Sequence, residues 1–207
     1  MRTIPPETAC HHPGDTPPQP QTIVALGIGN LLWADEGFGV RCIEALQRRY
    51  EFAEHVSLID GGTQGLYLIQ HVQAADALLI FDAIDYGLAP GTLRLIRDDD
   101  VPRFMGAKKM SLHQTGFQEV LSLAQLTEKY PAQVLLIGCQ PQELEDYGGS
   151  LRPVVKAALE DAVALGVEQI AAWGGQPTVR QTPLGGREAV TLEELALAAD
   201  ETQRPPP

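Results

Sequence analysis

The sequence predicts an α/β protein: a three-layer sandwich with a twisted, mostly parallel five-stranded sheet and helices on both faces. Two observations predict it. Short apolar runs, each closed by glycine or aspartate, alternate with segments of helical period along residues 22–173. Alternating strands and helices require crossover connections, and those connections are right-handed.

The elements follow in order. Thr22–Gly27 is short, apolar and ended by a glycine turn, so it reads as a buried strand. Val40, Ile43 and Leu46, with Arg41, Glu44 and Arg48 between them, give a helix with one face inward. His55–Asp60 is a second strand, broken by Gly61 and Gly62. Leu66, Ile69 and Val72 place a helix over Gly65–Ala74, and Ala77–Phe81 is a third strand running into Asp82. Gly91–Ile96 alternates and keeps a partly polar face, which predicts an edge strand. Asp98–Ser111 reads as irregular connection. Gly116–Tyr130 has helical period, Gln133–Gly138 is a fifth strand, and Leu151–Ala164 is a last helix with Pro153 in its first turn.

The domain therefore spans 22–173. Residues 1–21 form a proline-rich head expected to be disordered, with Cys10, His11 and His12 as an incidental cluster. Residues 174–207 read as a flexible tail in which Thr191–Ala199, with Thr191 three residues before Glu194, has the pattern of a short capped acidic helix.

Composition excludes several functions. The 207 residues carry 15 Lys+Arg against 27 Asp+Glu, a net charge of -12. That balance argues against a nucleic-acid partner and against an anionic membrane surface, both of which need a positive footprint. No stretch has the length and apolarity of a signal peptide or membrane span, so a cytoplasmic location is expected. Three cysteines without a C-x-x-C pair do not make a disulfide framework, and Cys42 and Cys139 sit in apolar runs as core residues. No long apolar surface stripe stands out, which favours a monomer.

Polar residues gather where the parallel strands end, the place where open α/β sheets bind ligands. Asn30, Asp35 and Glu36 follow the first strand, Asp60–Thr63 the second, and Asp82 and Asp85 the third. His113 stands in the loop before a helix that can return it to the same edge. Each has a structural reading too: Asp35 as a helix cap, Asp60 as a turn former, His113 as a cap or surface residue. Together they repel one another unless a cation or basic ligand lies between them, and carboxylate with imidazole suits a borderline divalent ion such as nickel or zinc. There is no H-E-x-x-H and no G-x-S-x-G, and Leu32 replaces the third glycine of a dinucleotide fingerprint.

Four separated motifs, in order, resemble those of the [NiFe]-hydrogenase maturation endopeptidases: LGIGNLLWADEGFGV over 26–40, DGGT over 60–63, FDAI over 81–84 and SLHQ over 111–114. The resemblance covers roughly residues 22–170. It implies an enzyme that removes a C-terminal extension from the hydrogenase large-subunit precursor after nickel insertion. By position, Glu36, Asp82 and His113 match the family's metal-binding set. Asp60, Gly61, Gly62 and Thr63 match a motif beside the cleft associated with substrate recognition or processing. The implied metal is nickel brought by the substrate, with zinc or cadmium able to take its place. Hydrolysis then proceeds through a metal-polarised carbonyl or metal-activated water, or through Asp60 or Asp82 as general base in an aspartyl-protease-like role. His113 must be neutral to bind metal, so binding weakens below its pKa, near 6.5 for an unperturbed imidazole. The alternative reading is a nickel-sensing or nickel-chaperone module without catalysis. A nucleotide-handling α/β enzyme rests on fold alone.

Overall fold

The computed structural model describes residues 22–105 and 112–182, with the backbone course alone for 103–105 and 112–115. Cys10, His11, His12, Ser111 and the 191–199 segment lie outside the described residues, as does the side chain of His113.

The chain runs β1 (Ile23–Ile28), a 3-10 turn (Ala34–Gly37), α1 (Phe38–Arg49), β2 (Tyr50–Glu51), β3 (Val56–Gly62), a second 3-10 turn (Gly65–Leu68), α2 (Ile69–Ala74) and β4 (Ala77–Ala83). It continues through β5 (Leu93–Arg97), α3 (Asp100–Met105), α4 (Leu112–Leu126), β6 (Gln133–Cys139), α5 (Pro153–Ala172) and β7 (Thr178–Val179). The main sheet has the order β3-β1-β4-β6-β5. All its pairings are parallel except β5 with β6, so the alternating strand takes the edge that its pattern predicts.

Every residue of β1 and β4 is buried, because both strands lie inside the sheet with helices on each face. One core layer joins the sheet to α1 and α5 through Phe38, Cys42, Ile43, Val155 and Ile170. The opposite layer joins it to α2, α3 and α4 through Leu68, Val72, Val101, Phe117 and Val120. The alternation of faces follows from handedness. From β1 the chain crosses to β3 in one direction by way of α1; from β3 it returns past β1 to β4 by way of α2. Right-handed crossovers in opposite directions place their helices on opposite faces.

The connection after Asp98 is not irregular throughout: α3 occupies its first half, and Val101 is drawn into the core at 0% exposure. The helix predicted over Gly116–Tyr130 starts and ends four residues earlier. Helix α5 runs eight residues past Ala164, with Pro153 opening it as its fixed φ favours. Residues 174–182 stay on the domain to the end of the described chain. There β7 pairs antiparallel with β2, and Arg180 donates to the Gln47 carbonyl at 3.0 Å and to Glu51 at 2.7 Å.

Candidate functional site at the switch point of the sheet

Loops leaving the carboxyl ends of β1 and β4 diverge, one toward β3 and the other toward β6. Such a divergence opens a crevice at the strand ends. Gly27 of β1 lies in register with Phe81 of β4, so Asp82 stands one residue further along, at the mouth of the crevice. Asp82 is fully buried at 0% exposure. The 3-10 turn after β1 packs against this end of β4 and carries Glu36, which is half-buried. Glu36 and Asp82 are thus both carried at this end of the sheet, one on the turn and one on the strand it packs against.

Close backbone packing fixes this arrangement. A Cβ on Gly39 would lie 2.2 Å from the Phe81 carbonyl oxygen and 2.3 Å from that of Ile28, so only glycine lets the start of α1 enter between the strand ends. Gly29 has φ +141°, and a Cβ there would meet the Glu36 carbonyl oxygen at 1.9 Å. The Asn30 N–H donates to that same oxygen at 3.2 Å, and the Glu36 N–H donates to Trp33 at 2.8 Å. Ala34 opens the turn at φ +31°, a strained conformation for a residue with a Cβ.

The DGGT segment borders the crevice on the β3 side. Asp60 is in register with Gly27 and is exposed, as is Thr63; Gly61 is buried, and Gly62 is half-buried at φ +45°. A hydrogen bond of 3.1 Å from the Gly29 N–H to the Gly62 carbonyl joins this segment to the β1 loop. The second 3-10 turn follows, with Leu66 and Tyr67 exposed at 52% and 81%.

His113 is the residue whose setting changes most. It lies not in a loop but in the first turn of α4. That end of the helix approaches the turn after β3: a Cβ on Gly116 would stand 3.4 Å from the Gly65 Cα. The backbone thus brings His113 toward the DGGT side of the crevice. Among the described residues no group of three or more His, Cys, Asp or Glu side chains is placed to hold a metal ion. Glu36 and Asp82 supply two described donors, and the imidazole of His113 falls outside.

Several residues that sequence reasoning passed over shape the site. Gln140, just past β6 and 6% exposed, accepts the N–H groups of Tyr86 at 2.7 Å and Leu88 at 3.1 Å, and donates to Asp85 at 3.0 Å. Asp85 also accepts the Gly87 N–H at 2.8 Å, so this acid shapes the turn after β4. The Asp-x-Gly spacing was the available signal. Tyr86 covers Gly138, where a Cβ would meet its hydroxyl oxygen at 2.2 Å, and Gly138 is the register partner of Asp82. Burial, then the Asp82 charge, pushes the Tyr86 phenol up, while the Arg94 guanidinium, 5.5 Å above its ring, pulls the other way. Burial, with Asp35 adding to it, pushes the Cys139 thiol up to about 12, which suits an inert core residue.

The comparisons with known proteins agree with this architecture. A family model described as "Hydrogenase maturation protease" matches residues 40–169. The hydrogenase expression/formation protein HoxM of Cupriavidus necator is 70% identical over 185 residues, 89% of this chain and 92% of its own. The hydrogenase 2 maturation protease of Escherichia coli is 40% identical over 169 residues, 81% and 98% of the two chains. Among solved structures, the hydrogenase maturating endopeptidase HybD of E. coli superposes with a TM-score of 0.73 at 38% identity, covering 77% of this chain and 98% of its own. With its fold, its length and most of its sequence shared in this way, the chain belongs to the hydrogenase maturation protease family and is a peptidase.

Proposed function

We propose that this peptidase removes the C-terminal extension of a [NiFe]-hydrogenase large-subunit precursor after nickel insertion, and that the nickel in the precursor is its recognition element. One observation supports the reading: the turn that carries Glu36 packs against the end of β4 where Asp82 is buried. Two carboxylates held at one sheet edge disfavour each other's charge, and a client that brings its own metal supplies a cation to offset it. His113, on the first turn of α4, completes a mixed oxygen and nitrogen donor set suited to nickel, with zinc or cadmium as substitutes. In this reading the protein acts as a monomer in the cytoplasm, and the metal belongs to the substrate.

Asp60 to Thr63 form the rim along which the scissile segment lies. Water adds to the scissile carbonyl, the C–N bond breaks, and the new amine leaves with a proton. In this reading the Asp60 carboxylate, which is exposed on the rim, takes the proton from that water. Among the described residues no helix is long and apolar enough to cross a membrane, consistent with a client met in solution.

The test is incubation with nickel-loaded and nickel-free precursor, reading the C-terminus by mass spectrometry. The loaded precursor is expected to be shortened and the empty one left intact. Glu36→Gln and Asp82→Asn should each weaken binding of loaded precursor by about 2–5 kcal/mol, as expected for truncating a buried charged contact. Equal trimming of both precursors would remove nickel from recognition. Tight binding without trimming would make the protein a nickel sensor or chaperone instead.

A further inference from the structure

Asp35 precedes Glu36, is 0% exposed, and belongs to neither the donor set nor the rim. Its Oδ2 accepts the backbone N–H groups of Gln142 at 2.8 Å and Glu143 at 2.9 Å, and its Oδ1 accepts that of Arg152 at 2.7 Å. Its own N–H donates to the Glu143 carbonyl at 3.1 Å, so Asp35 and Glu143 are bonded reciprocally. Further out, the Gly148 N–H donates to the Leu32 carbonyl at 2.7 Å, and Trp33 meets Tyr147 edge to face at 5.3 Å between ring centroids. Residues 142–152, which link β6 to α5, thus form a strap laid along residues 32–36.

We propose that Asp35 is a positioning residue for Glu36: by tying the strap to the 3-10 turn it fixes the backbone that carries Glu36 at the switch point. The inference rests on the proposed role of Glu36. An ionised carboxylate is an acceptor on both oxygens, which is what three converging N–H donors require. Asparagine cannot replace it, because its amide nitrogen must point at one set of those donors. The turn also begins at the strained Ala34, a conformation that persists only where its surroundings hold it, and Asp35 is the next residue.

The experiment is a double-mutant cycle on binding of nickel-loaded precursor, with Asp35→Asn, Glu36→Gln and the double variant. Amide hydrogen exchange at Gln142, Glu143 and Arg152 and the melting temperature are measured alongside. Asp35→Asn is expected to speed exchange at those amides and to weaken precursor binding by about 10–100-fold, the range for residues that orient a metal ligand. In the Glu36→Gln background the same substitution should leave binding unchanged while still speeding exchange. An equal loss in both backgrounds, or faster exchange with binding intact, overturns the inference and leaves Asp35 a purely structural tie.

Should Asp35→Asn fail to fold, Arg152→Pro carries the cycle. Arg152 has φ -62°, which a proline ring accepts, and proline deletes only the N–H given to Asp35 once Arg152→Ala has accounted for the ion pair with Asp146. The expected and overturning results are the same, taken relative to Arg152→Ala. Wild-type protein that discriminates no nickel from its absence would instead defeat the reading on which this inference rests.

Discussion

The two banks of the crevice are built differently. On the β1 bank, residues 29–37 are held by backbone bonds at Asn30, Trp33, Asp35 and Glu36, by the strap through 142–152, and by glycines that admit no side chain. On the β3 bank, Asp60, Thr63, Leu66 and Tyr67 face solvent, and Gly62 has no neighbour closer than 3.5 Å to where a Cβ would be. Rigid backbone under a proposed metal contact and open surface beside it fit the two tasks assigned to them. A ligand atom must be held within a fraction of an ångström, whereas a peptide chain needs room to enter. Adjacent acids divide along the same line: Asp35 is fully buried against backbone donors, while Glu36 is half-buried.

The comparison breaks first at Gly39. Replacement by alanine forces a Cβ to about 2 Å from two carbonyl oxygens, neither of which can move without shifting β1 or β4. The expected cost is about 3 kcal/mol or more, at or above the range for overpacking a core, read as a lowered denaturation midpoint at unchanged slope. A change under about 1 kcal/mol would mean that the β1 bank is not tightly set. Next comes Gln140→Ala, which strips the acceptor from the Tyr86 and Leu88 N–H groups and the donor from Asp85. Two backbone donors lose their partner, and the expected loss is about 2 kcal/mol of unfolding free energy in the same measurement. Rescue by glutamate is not expected, because it would set a second carboxylate against Asp85.

Much of this was legible in the sequence, for definable reasons. Strands buried on both faces must be short and continuously apolar, so β1, β4 and β6 announce themselves, and the alternating 91–97 segment marks an edge. The acids at the strand ends were legible as a group, because parallel strands bring their carboxyl ends to one edge whatever their order. What a carboxylate does there was not legible. Asp35 and Glu36 are neighbours of the same charge, and their difference is made by donors more than a hundred residues away at Gln142, Glu143 and Arg152. Position 113 differs from its sequence pattern for a local reason: Thr115 and Gly116 look like the start of a helix, yet α4 begins at Leu112 and runs through both. Tertiary packing of that helix against the turn at Gly65 overrides the weak local preference. The strap has no signature in the sequence because its bonds are nearly all to backbone atoms.

The finest distinction between the banks lies in two glycines of positive φ. At Gly29 a Cβ would strike the Glu36 carbonyl, so conformation and space both exclude a side chain. At Gly62 only conformation does: φ is +45°, and the nearest atoms to an added Cβ are Asp60 Oδ1 at 3.5 Å and Gly29 O at 3.9 Å, ordinary contacts. Gly62→Ala should therefore cost about 1 kcal/mol, the left-handed penalty alone, and Gly62→Asn less, because asparagine tolerates that region. The bond from the Gly29 N–H to the Gly62 carbonyl uses backbone atoms only and survives either change. Thermal unfolding of the two variants beside wild type reads the difference. If alanine at 62 costs as much as alanine at 39, the β3 bank is as closely packed as the β1 bank. The room it offers an incoming peptide then has to come from movement of the rim, not from its resting shape.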